Sequence, residues 1–193
     1  MNNPMYLSSA RVFLHHLKNL SAILKLAAKD ARARGIDPSV LLVARLAPDM
    51  LPLVRQVQIV TDHAKGCSAR LAGVDSPVFE DNETTFAELE DRIKRAQTFI
   101  RGLKPAQFAG SEDREIVLKM MSMGTLTFSG ADYLNGWALP NFYFHYTTAY
   151  NILRNNGVAL GKFNYLGMIP GVSMSGKIAK MMGGKPATKV KKK

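Results

Sequence analysis

The sequence predicts an all-α fold, an antiparallel bundle of four principal helices with one small β-hairpin inserted before the last. Three observations carry that reading. Four segments place apolar residues at a spacing of three and four, the period of a helix with one buried face. The connections between them are short and punctuated by Pro, Gly and Asn. One stretch, residues 108–136, abandons the helical period and alternates apolar with polar residues instead.

The first helix is expected from about Pro4 to Arg34, ending near Gly35. Phe13, Leu17, Leu20 and Leu24 form its apolar face, flanked by Ala10 and Ala27. Pro38 and Pro48 punctuate the next connection. The second helix is expected to start near Asp49, a good N-cap. Leu53, Val57, Val60, Ala64, Cys67 and Leu71 form its stripe, which fades near Gly73. Val74–Glu83 reads as a loop. Thr84 is the expected N-cap of the third helix, whose stripe is Phe86, Leu89, Ile93, Ala96, Ile100 and Leu103, and Gly102 and Pro105 end it. Ile116, Leu118 and Met120 alternate with polar residues, as do Leu126 and Phe128, with Ser122 and Gly124 between the runs; this is a hairpin signal. The fourth helix is expected from about Ala138 to Asn156. Pro140 suits a first turn, and Gly157 suits the left-handed position that closes a helix. Phe142, His145, Ala149, Ile152, Leu153 and Asn156 share its inward face. Periodicity alone permits an up-down-up-down or a crossed helix order.

The chain has 193 residues and 47% apolar content, enough for one well-cored domain. No apolar run approaches the ~20 residues that span a bilayer, and the first residues lack a secretory pattern. A cytoplasmic protein is the expectation. The lone cysteine, Cys67, excludes an internal disulfide and a multi-cysteine zinc site; it reads as a small apolar core group, or as a reactive thiol or ligand one turn after His63. The net charge is +11, but seven lysines and no acids lie from Lys177 onward, so the remaining 19 basic and 15 acidic residues leave the rest at only +4. Nucleic acid is therefore expected as a partner only through the Lys-rich tail, whose Lys189-Val-Lys-Lys-Lys also fits the loose basic pattern of nuclear import. The expected division is a folded domain over residues 1–167 and a flexible tail over 168–193, with Lys185–Lys193 disordered in isolation. Neither a phosphate-binding loop nor a nucleophile elbow is present.

Three blocks of the sequence resemble one family. The first runs Leu139-Pro-Asn-Phe-Tyr-Phe-His145, then Thr148-Ala-Tyr150, Leu153-Arg-Asn-Asn-Gly157-Val and Leu160-Gly-Lys162. The second is Gln56-Val-Gln-Ile-Val-Thr-Asp62-His63-Ala-Lys65-Gly, continuing through Ala69-Arg70-Leu-Ala-Gly73. The third is Glu83-Thr-Thr-Phe86 with Glu88-Leu89 and Arg92-Ile93. These blocks resemble an uncharacterised family, a domain of unknown function, within the DinB/YfiT-like superfamily of metalloenzyme-like proteins. The resemblance covers about Met5 to Gly167. It implies the crossed helix order of that superfamily, and some of its members are metal-dependent thiol transferases.

The residues that carry chemistry lie on the second and fourth helices. His145 faces inward with Asn141 one turn earlier, and an imidazole and an amide oxygen so placed are potential metal ligands. His63 and Gln56 border the stripe of the second helix. The expected site is one divalent transition metal (zinc, nickel or iron) held by His63, Asn141 and His145, with Gln56 and Tyr146 as accessory candidates. The resemblance implies three histidines around one metal, two of them at i and i+4 on the last helix. Asn141 occupies the first of those positions here, which weakens the site. The competing reading makes His63, Asn141 and His145 hydrogen-bonded structural groups in a non-catalytic module. In either reading a homodimer is expected, a small molecule is a candidate ligand, and no reaction is specified.

Overall fold

The structure, a computed structural model, describes residues 3–181. It is mostly helical, with one two-stranded antiparallel sheet. The lysines from Lys185 to Lys193, expected to be disordered, lie outside the described residues.

The chain opens with α1 (Pro4–Ser8), started by the Asn3 side chain, which accepts from Tyr6 N at 3.0 Å. The expected first helix is broken here: Ser9 leaves helical geometry and α2 (Ala10–Ala33) begins after it. Ser9 Oγ donates to the Met5 carbonyl one turn back, the local competition with the helix ladder that serine side chains offer. The connection after Gly35 contains a short helix, α3 (Ser39–Val43), that the sequence reading did not contain.

The second long helix, α4 (Leu53–Ala72), starts four residues later than expected, behind extended Pro52 rather than at Asp49. Pro48 and Pro52 lack the N–H groups a helix spanning them would need. Gly73, at φ 69°, closes α4 as expected. Thr85, not Thr84, caps α5 (Phe86–Gly102); its hydroxyl accepts from Glu88 N while Glu88 bonds back to the backbone N–H of both Thr84 and Thr85.

The hairpin forms where the alternation placed it. Strand β1 (Glu115–Lys119) pairs antiparallel with β2 (Thr125–Ser129), Val117 opposite Thr127. Met120 falls just outside β1.

The last long helix departs most from expectation. A helical run begins at α6 (Gly130–Asp132), passes through a π-helical turn at Tyr133–Ala138, and continues as α7 (Leu139–Asn155). Pro140 thus sits inside a helical run rather than at its start. It cannot donate to the carbonyl of Gly136, and its ring would crowd that oxygen; the wider turn immediately upstream relieves both conflicts. Gly130 anchors the start of the run. A Cβ there would lie 1.8 Å from the Ser111 carbonyl oxygen, so only glycine lets the two backbones meet. Gly157, at φ 84°, terminates α7 as expected.

A single hydrophobic core joins these elements. Helix α4 lies between α5 and α7, while α2 lies mainly against α5 and α8 (Lys162–Leu166). Tyr146 and Tyr165 stack at 4.3 Å between centroids, and Asn19 Nδ2 donates to the carbonyls of Tyr165 and Leu166, fastening α8 to α2. Beyond α8, Met174 and, within α9 (Gly176–Met181), Ala179 are buried. No helix among the described residues is long and apolar enough to cross a membrane.

Candidate functional site

The α4–α7 contact brings His63 and His145 together. Their rings lie 6.0 Å apart between centroids and within 17° of parallel.

Gln56, buried two turns before His63 on α4, sets the state of His145. Its Nε2 donates to the Leu51 carbonyl at 2.9 Å, which fixes Oε1 as the acceptor. His145 Nδ1 lies 2.7 Å from that oxygen and therefore donates to it. The Nε2 lone pair of His145 is left for another partner. A side chain that fixes the tautomer in this way is how proteins orient a metal-binding imidazole. Gln56 thus stands behind His145 as the group that orients it.

Both histidines are held neutral. Burial, then the neighbouring His145, then Arg70 push His63 from its ordinary 6.5 down to about 4. Burial lowers His145 as well. Neutral imidazole is the form that ligates a metal.

Asn141 occupies the turn before His145. Its Nδ2 donates to the Trp137 carbonyl at 2.8 Å, so its Oδ1 is the remaining acceptor. Tyr146 lies elsewhere: fully buried, it donates to the Tyr165 carbonyl at 2.8 Å on the α2–α8 side of α7. Cys67 is buried in the core, and burial pushes its thiol well above the ordinary range; it sits there as an apolar group. Among the described residues, no group of three or more His, Cys, Asp or Glu side chains comes together to hold a metal ion.

A cleft of about 370 Å³ opens on His63, lined also by Asp62, Arg70, Tyr133, Trp137 and the outer part of β1. Trp137 packs against Phe128 of β2, where the hairpin meets the helices.

Asp62 is engaged through one of its carboxylate oxygens. Its Oδ1 accepts from Arg92 Nη2 at 2.9 Å and from Lys65 Nζ at 3.0 Å. Arg92 is fully buried and also holds Thr61 Oγ1, the Glu80 carbonyl, Glu83 and Asp81. This hub ties the loop before α5 to α4 and fixes the helix that carries His63. Sequence reasoning did not single out Arg92, although a charged residue three positions after Leu89, on an otherwise apolar stripe, is a legible sign of a buried partner. Arg70 and Tyr133 were also missed. Neither has a local sequence partner; the hairpin and the π-helical turn bring them together.

The chain matches the family model described as a domain of unknown function, DUF1993, over residues 5–166. It is also similar to a solved protein, a DinB family member from Shewanella denitrificans, with 42% identity and a TM-score of 0.81 over 88% of this chain and 95% of that one. No curated protein matches.

Proposed function

The chain belongs to the DUF1993 family and is DinB-like, and from that premise we propose that it binds one divalent transition metal through His63, His145 and Asn141. The observation that carries this reading is the Gln56–His145 hydrogen bond, which leaves a neutral Nε2 lone pair beside a second neutral imidazole. The donors are two nitrogens and one amide oxygen, a set suited to zinc, nickel or iron(II) and weaker than three imidazoles. When bound, such a metal lowers the pKa of a coordinated water or thiol or polarises a carbonyl. The protein's part is to hold the two imidazoles neutral and oriented, and to give a ligand entry through the cleft beside His63. A metal-dependent transferase or hydrolase is the reaction class that fits. The packing of α2 on α5 and of α4 on both α5 and α7 supports reading residues 1–167 as a crossed four-helix bundle of DinB type.

Titration calorimetry with zinc, on chelator-treated protein, tests this. The parent is expected to bind one equivalent, His145→Ala to lose that binding, and Asn141→His to bind more tightly, since it adds an imidazole one turn, about 5.4 Å, from position 145. Equal binding by all three would assign the pair to hydrogen bonding and packing, and favour a non-catalytic module.

A further inference from the structure

Arg70 stands at the mouth of the cleft in an arrangement that metal binding does not require. It lies two turns after His63 on α4 and is exposed. Among the described residues no carboxylate lies within ion-pair distance of it. The guanidinium is nonetheless held in place. Its Nη1 donates to the hydroxyl of buried Tyr133 at 3.1 Å, and its charge sits 5.8 Å from the Tyr133 ring centroid. The same Nη1 lies over Gly66, where an added Cβ would stand 2.8 Å from it. A glycine inside a helix costs about 1 kcal/mol relative to alanine; here it clears the space that the guanidinium fills.

The charge around the cleft is one-sided. Lys119 lines it with Arg70, while the one acid in the lining, Asp62, is already matched by Arg92 and Lys65. The rest of the lining includes the apolar residues Ile59, Val117, Leu118 and Trp137 beside His63 and Tyr133. A positioned guanidinium with unused donors, in a cleft that also presents apolar residues, is a site for a planar oxyanion on an apolar body.

We propose that the cleft binds a small organic carboxylate, with Arg70 anchoring the carboxylate and the Trp137 wall receiving the apolar part. The inference rests on reading this cleft as the functional site, and it names the class of ligand that the site takes. Gly66 and Tyr133 are positioning residues that hold the anchor.

Trp137 is the sole tryptophan of the chain, so its fluorescence reports occupancy directly. The full chain, chelator-treated and again with added zinc, is titrated with benzoate, with its uncharged isostere benzamide, and with phenylphosphonate. Benzoate is expected to give a saturable change and benzamide none. Arg70→Gln is expected to weaken benzoate by about tenfold or more, the scale of a charged hydrogen-bonded contact, with Arg70→Lys in between. Gly66→Ala, which displaces the guanidinium while favouring the helix, is expected to weaken benzoate with the circular dichroism and melting temperature retained. Equal responses to benzoate and benzamide, or an unchanged affinity in Arg70→Gln, would overturn the proposal. Tighter binding of phenylphosphonate would replace the carboxylate by a phosphoryl class. Benzoate binding that survives Arg70→Gln but vanishes in His145→Ala would place the carboxylate on a metal, overturning the Arg70 assignment and sparing the metal reading. Arg70-dependent binding in chelator-treated protein supports the assignment whatever the zinc titration gives.

Discussion

The amide of Gln56 decides which nitrogen of His145 carries the proton. With its own Nε2 committed to the Leu51 carbonyl, it can only accept, and the imidazole must present Nδ1–H to it. Gln56→Leu keeps the size and the burial but removes that acceptor. If a metal is bound, its affinity is expected to fall about 10- to 100-fold, the usual effect of losing such an orienting partner, with the fold intact; an unchanged affinity would mean that the bond does not orient a ligand. At this scale the sequence is informative about residue type and facing, and silent about hydrogen bonds. His145 stood out as a polar residue on the inward face of its helix, and His63 as a polar residue bordering the stripe of another. The orienting role of Gln56 did not, because it depends on the Leu51 carbonyl and on the contact between two helices. Tyr146 was misplaced as an accessory because neighbours in sequence on a helix project in directions about 100° apart: His145 turns to α4 and Tyr146 to Tyr165.

Element positions were legible wherever the apolar period was long. The stripes of α4, α5 and α7 and the alternation of the hairpin all fall where the pattern put them. The ends were less so, since caps and proline geometry decide them: Thr85 rather than Thr84, Leu53 rather than Asp49, and a helical run that reaches back through a π-helical turn to accommodate Pro140. The loop before α5 read simply as a loop, and it is fastened by Arg92. The Glu83 side chain is 3% exposed and pairs with the fully buried Arg92 at 3.0 Å. Removing one member of a buried pair strands the other charge. Arg92→Met is therefore expected to cost about 3–5 kcal/mol, read as a lower urea midpoint. A loss under 1 kcal/mol would show that Glu83 finds water or another cation instead.

Across the whole molecule, burial of neutral histidines makes stability depend on acidity. His16 is held at about 4 by burial and then by the neighbouring His15, with Tyr143 Oη 3.2 Å from its Nε2; His63 sits at about 4 as well. In the unfolded chain each takes up a proton near pH 6.5. The fold, which excludes that proton, has its full stability above about pH 6.5 and loses it as pH falls towards about 4, by at most about 1.4 kcal/mol per pH unit for each histidine. The urea midpoint of the chelator-treated protein is expected to fall between pH 7 and pH 5, and to fall less in His16→Phe. A midpoint that holds or rises over that range would contradict the burial of these rings. The metal reading itself is tested most directly by elemental analysis of the full chain purified without an affinity tag or chelator. The expected result is close to one equivalent of zinc, nickel or iron per chain in the parent, and none in the His63→Ala, His145→Ala double variant. Parent protein that is folded but carries no more transition metal than the double variant would contradict it.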